Sequence, residues 1–99
     1  MLLKTITSFG DKWTERLWNR EFVKKFSMIA EPALEGLVML NNATCLGDLA
    51  FPANNNLHKL KGDRQGQWAI SIGNTQYRIC FYWGKDNRAY SVEISKHYD

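Results

Sequence analysis

Cysteine, proline and histidine are scarce, with two of each in 99 residues. Cys45 and Cys80 stand far apart and in no Cys-x-x-Cys pairing. Together with two scattered histidines they make no zinc pattern. They read as two reduced cytosolic thiols packed as small apolar groups. No stretch approaches the roughly 20 apolar residues of a membrane span. The N-terminus carries one lysine, Lys4, and alternates apolar with polar residues, so it lacks the apolar core of a signal peptide. No export is expected, and a cytoplasmic location with no membrane partner follows. No internal repeat or low-complexity segment is present.

What remains is ordinary for one globular domain spanning residues 1–99: 44% apolar and 23% charged residues. The net charge of +3 is unevenly placed. Residues 1–57 hold six Lys/Arg and six Asp/Glu; residues 58–99 hold seven Lys/Arg against four acids. A polyanion would be drawn to the C-terminal part. A basic sheet surface with no partner explains the same count.

The hydrophobic period changes once along the chain. Leu2 to Phe9 alternates loosely, with Leu3, Thr5, Thr7 and Phe9 on one side, and reads as a strand. Asp11 then caps a helix running to about Arg20, with Trp13, Leu17 and Trp18 inward. The two tryptophans read as core rather than as a base-stacking platform. Ile29, Ala33, Leu37 and Leu40 recur at helical spacing and give the best amphipathic helix. Pro32 allows that helix to start as late as Glu31. Gly36 costs it about 1 kcal/mol and leaves room for another element to approach. Asn41-Asn42 ends it. Leu46 and Leu49 sit in a connector with a short helical turn, and Pro52 and residues 54–56 read as loop.

From Leu57 the period is two. Residues 57–60, 67–72, 76–83 and 88–95 read as four strands with glycine-containing turns, an antiparallel meander. Trp68, Ile70, Ile72, Tyr77, Ile79, Phe81 and Trp83 form the buried face; Arg78, Cys80 and Tyr82 form the other. The order is β-α-α-β-β-β-β, an α+β domain with two helices on one face of an antiparallel sheet.

The sheet half also holds the polar residues that could carry chemistry. His58 and Lys61 lie at the first meander strand, Arg78 in the middle of an apolar strand, His97 and Tyr98 after the last one. An arginine in a central strand suits phosphate recognition; a cross-strand pair with Glu93 is the plain alternative. The set suits metal-free cleavage of RNA. The 2′-hydroxyl loses a proton and attacks phosphorus, the 5′-oxygen leaves and gains one, and cations stabilise the phosphorane between. Histidine or tyrosine moves protons, and no cofactor is called for. Strand parity sets His58 and Leu60 against Lys59 and Lys61, so His58 and Lys61 share a face only if the strand breaks near Gly62. Without such a break His58 is a surface histidine.

Several segments resemble a known family. Leu57-His58-Lys59-Leu60-Lys61-Gly62-Asp63-Arg64-Gln65-Gly66-Gln67-Trp68 resembles the L-x-x-L-x-G-x-x-x-G-x-W-S-I segment of HigB-like toxins. Gln76-Tyr77-Arg78-Ile79-Cys80-Phe81-Tyr82-Trp83 resembles their Q-W/Y-R-I-x-F-x-W. Met39-Leu40-Asn41-Asn42-Ala43-Thr44, with Leu46, Leu49 and Pro52, resembles their helix end and connector.

The resemblance implies a RelE/ParE-superfamily toxin of a type II toxin-antitoxin pair, with a microbial ribonuclease-like α+β fold. It implies an endoribonuclease that cuts mRNA in the ribosomal A site and so inhibits translation. The partners implied are a HigA-like helix-turn-helix antitoxin, the 70S ribosome and mRNA, and operator DNA through the antitoxin. Carried over by motif, His58, Lys61 and Arg78 are active-site residues, and Lys61 and Arg78 contact the scissile phosphate. Lys59, Arg64 and Lys96 are assigned to RNA binding. Two departures stand out. The chain ends Lys96-His97-Tyr98-Asp99 where many relatives end Asp-Tyr-His, so either His97 or Tyr98 is the proton-transfer group. Ser71 sits near an arginine of relatives, whose loss weakens phosphate binding unless Arg64 or Lys59 substitutes. The alternatives are a gyrase-poisoning ParE-like toxin and a non-catalytic RNA- or protein-binding module.

Overall fold

The switch of period near residue 57 divides the computed structural model, which describes residues 2–96, into a helical half and a sheet half. His97 and Tyr98 lie outside the described residues. Helix α1 (Lys12–Trp18) opens at Asp11, whose Oδ1 accepts from the Thr14 N–H at 2.6 Å. It buries Thr14, Leu17 and Trp18. Trp13, expected inward, is only half-buried. Thr14 takes the inward place because its hydroxyl accepts from the Ile94 N–H at 3.0 Å. Helix α2 (Ala30–Asn42) holds Pro32 in its first turn, where no backbone donor is lost. It buries Ala33, Gly36, Leu37 and Leu40. A Cβ at Gly36 would stand 2.8 Å from Ile79 Cδ1. The glycine therefore lets the helix approach the sheet closely.

Strands β1 (His58–Lys59), β2 (Trp68–Ser71), β3 (Tyr77–Trp83) and β4 (Ala89–Lys96) form an antiparallel sheet in the order β1-β2-β3-β4. Trp68 pairs with Phe81, Ile70 with Ile79, and Ile79 with Ile94. These residues, with Ile72 and Val92, meet Leu37, Leu40 and Phe26 in the main core between sheet and helices. Between Cys80–Glu93 and Tyr82–Tyr90 the register slips, Phe81 of β3 facing two residues of β4, Ser91 and Val92. Ser91, at φ 54°, takes up the extra residue as a bulge.

The N-terminal segment is extended but is not a regular strand. It touches β4 at two isolated parallel bridges, Ile6–Ala89 and Phe9–Val92. Asn41 explains the rest. Its Oδ1 accepts from the N–H groups of Lys4, Thr5 and Ile6 at 2.7–3.1 Å, taking donors that a strand ladder would use. Ile6 is the core residue here, and Leu3 is 45% exposed, so the expected alternation fails. The segment and Thr14 together cover the outer edge of β4, which leaves that edge unavailable for pairing with another chain. Among the described residues no helix is long and apolar enough to cross a membrane.

Candidate active site

Pairing register decides which side chains share the sheet face turned away from the helices. His58 faces Ala69, Ala69 faces Cys80, and Cys80 faces Glu93, so these four form one row across all four strands. The next row is Ser71, Arg78 and Ser95. Directly paired residues project to the same side. His58, Arg78 and Glu93 are thus neighbours on one surface, although first and last stand 35 positions apart in sequence. Strand spacing of about 4.8 Å places the Cα atoms of His58 and Arg78 roughly 12 Å apart. Their side chains can converge over the rows between.

Arg78 is 9% exposed, and its Nε has no hydrogen-bond partner among the described residues. Both facing positions on its row are serines, too short and uncharged to neutralise a guanidinium. The expected alternative, a pair with Glu93, does not form. Glu93 Oε1 accepts instead from Arg64 Nη1 at 2.8 Å, and Arg64 Nη1 also lies 3.2 Å from Gln67 Oε1. Arg64 comes from the turn Gly62–Arg64 and reaches across the face to β4. It is committed to a carboxylate, which counts against its expected role as a direct phosphate ligand. A buried donor left unmade costs about 1–3 kcal/mol. A fold keeps such a group where an anion is to be bound.

His58 is half-buried, and its Nδ1 lies 2.7 Å from the Asn56 carbonyl oxygen. The carbonyl can only accept, so Nδ1 carries the proton. In the neutral ring the lone pair is then on Nε2, which has no partner among the described residues. The backbone carbonyl thus sets the tautomer of the ring.

The other expected residues are dispersed. Strand β1 ends at Lys59, and the chain enters the turn through Lys61, which is exposed and extended (φ −122°, ψ 175°). The break expected near Gly62 is present, and it releases Lys61 from strand parity. Lys59 faces Trp68, its Nζ 5.6 Å from the ring centroid, on the helix side of the sheet. Lys96 faces Tyr77, 5.7 Å from that ring, also away from Arg78's face. Gln67 and Ser95 belong to the face but were missed, and Glu93 was expected only as a partner of Arg78. Only pairing register reveals them, and the bulge at Ser91 hides it. Leu60, Ala69 and Cys80 form a small buried cluster under this face. Among the described residues no three His, Cys, Asp or Glu side chains converge on one point.

One sheet face thus carries a buried arginine with an unpartnered Nε and a histidine whose tautomer is fixed. Residues 7–98 match the family described as RelE-like toxin of type II toxin-antitoxin system HigB. The chain belongs to the HigB-like toxin family. It is also 31% identical over 77 residues to Toxin HigB-1 of Vibrio cholerae serotype O1 (strain ATCC 39315 / El Tor Inaba N16961), covering 76% of this chain and 80% of that one. Membership in a type II toxin-antitoxin family implies an antitoxin partner. The two helices and four-stranded antiparallel sheet are consistent with the RelE-like fold. Within this HigB-like toxin, both motif segments quoted above supply the face: the first brings His58 and Arg64, the second Arg78.

Proposed function

We propose that this HigB-like toxin is a ribosome-dependent endoribonuclease that cuts mRNA in the A site and so arrests translation. The observation that carries the reading is Arg78: buried, central in the sheet, unpartnered at Nε, and on the face of His58. Arg78 and the exposed Lys61 hold the scissile phosphate and stabilise the phosphorane as charge gathers on it. His58 Nε2, His97 and Tyr98 are the groups available to move protons. One takes the proton of the 2′-hydroxyl as its oxygen forms the bond to phosphorus. Another gives a proton to the 5′-oxygen as that P–O bond breaks. The products are a 2′,3′-cyclic phosphate and a free 5′-hydroxyl.

The partners in this reading are a HigA-like helix-turn-helix antitoxin, the 70S ribosome with its message, and operator DNA only through the antitoxin, all in the cytoplasm. Mapping of mRNA ends after induction tests it. New ends at codon spacing, formed only with ribosomes present and lost in Arg78→Ala, are the expected result. Unchanged mRNA ends with a DNA-damage response would transfer the reading to gyrase poisoning. Ribosome binding without cleavage would leave a binding module.

A further inference from the structure

The first 57 residues balance in charge, but folding gathers part of their positive charge in one place. Trp13 lies half-buried against the main core. Three cations sit over its ring: Lys12 Nζ at 4.8 Å from the centroid, Arg16 Cζ at 5.0 Å and Lys25 Nζ at 5.9 Å. Lys24 adjoins them, and Trp13, Val23, Lys24 and Lys25 line a surface depression of about 490 Å³. None of these four cations has a carboxylate within ion-pairing distance among the described residues, where the ion pair observed is Arg64–Glu93. Of the two acids adjoining these cations in sequence, Asp11 is committed to the Thr14 N–H, and Glu15 forms no ion pair among the described residues.

Like charges on one ring repel, and each exposed cation–π contact returns only about 0.5–1 kcal/mol. The cluster therefore presents a positive field with no internal partner. It also lies away from the candidate site. Val23 and Phe26 anchor it in the core on the helix side, and Arg78 is on the other face of the sheet.

We propose that Lys12, Arg16, Lys24 and Lys25 around Trp13 form a second RNA-docking surface, which holds the phosphate backbone of folded RNA while the opposite sheet face receives the strand to be cut. The inference rests on the RNA-cleaving reading above. Three of the four cations are lysines, point charges on flexible stems, and they come from two separate elements. Such a spread suits successive phosphates more than a single carboxylate, for which an arginine fork is the better match. The Trp13 ring is already covered by the protein's own cations. Contact with the backbone, not stacking of a base, is what the surface offers.

Equilibrium binding of the full chain to 70S ribosomes across a salt series tests this, with antitoxin binding measured in parallel. The double variants Lys24→Glu/Lys25→Glu and Lys12→Glu/Arg16→Glu should bind ribosomes at least about tenfold more weakly near 0.1 M salt. Their slope of log affinity on log salt should be shallower by about 1.5, two phosphate contacts' worth. Lys24→Arg/Lys25→Arg should bind as the wild type does, and Arg78→Ala should stop cleavage while keeping most of the ribosome affinity. Charge-reversed variants that melt normally and keep wild-type affinity and slope would overturn the proposal. So would variants that keep ribosome binding but lose the antitoxin, which would assign the surface to an acidic protein segment. If the wild-type chain itself does not bind ribosomes, the RNA-cleaving reading falls first and this inference with it.

Discussion

The two faces of the sheet use the same four strands under opposite rules. On the helix side, Ile70, Ile79, Phe81, Val92 and Ile94 are 0–4% exposed and pack against one another and α2. Burial of apolar area fixes that face, and any residue of the right size helps. On the other side, Arg78 is nearly as buried yet keeps an unpartnered donor, and Glu93 is held by Arg64 across two intervening strands. Apolar packing does not require that arrangement. The contrast shows where the chain accepts a cost in stability, and that place marks the candidate site.

Substitutions on the two faces should therefore fail in different ways. Leu37→Ala, at a fully buried position of the helix side, should lose about 2–5 kcal/mol of stability. Chemical denaturation would show this, and activity should fall only as far as the folded fraction does. Arg78→Met should do the reverse. Cleavage should drop about 10²–10³-fold, the usual loss for one donor to a transition-state anion. The melting temperature should hold or rise, because an unsatisfied buried donor is removed. A variant that loses stability and activity in proportion would erase the distinction between the faces.

The Arg64–Glu93 pair gives a finer test. Glu93 stands diagonal to Arg78 on neighbouring strands, within reach of a long side chain. Arg64→Gln releases Glu93 to pair with Arg78, and cleavage should fall about two- to fivefold, the scale of a partly exposed ion pair. Adding Glu93→Gln should restore it. A double variant no better than Arg64→Gln would show that Arg64 acts some other way.

The smallest effect lies far from either face. The Thr44 N–H, then the Thr44 hydroxyl, hold the exposed Asp48 carboxyl below its ordinary value of 3.8. The folded state thus binds this proton less tightly than the unfolded chain. Its stabilisation is complete above the ordinary value and is lost as pH falls through the lowered one. Thermal melts of Asp48→Asn should trail the wild type near pH 6 and converge with it as pH falls through the lowered value. A gap that stays constant with pH would remove the carboxylate from the account.

Much of this was legible beforehand. The period of two after Leu57 sets the meander, because alternation must match the pleat. The helical recurrence of Ile29, Ala33, Leu37 and Leu40 sets α2. Arg78 stood out as a charge in an apolar strand. Three features were not legible. Asn41 draws the N-terminal backbone away from a ladder through contacts 35–37 residues distant. Thr14 displaces Trp13 from the inward position because it bonds the edge of β4, 80 residues away. Lys59 and Lys96 fall on the helix side because register, not composition, assigns faces.

The sequence alone determined the α+β order, the apolar face, the family and the identity of the cations and histidines available for phosphate chemistry. These follow from local periodicity and short motifs, which depend on neighbours a few residues away. Tertiary structure alone decided that Glu93 goes to Arg64 and leaves Arg78 unpaired. It also decided that Lys25 joins Lys12 and Arg16 on Trp13. Each is a choice among partners brought together by chain crossings and by a one-residue bulge, and such choices are settled only when distant segments pack.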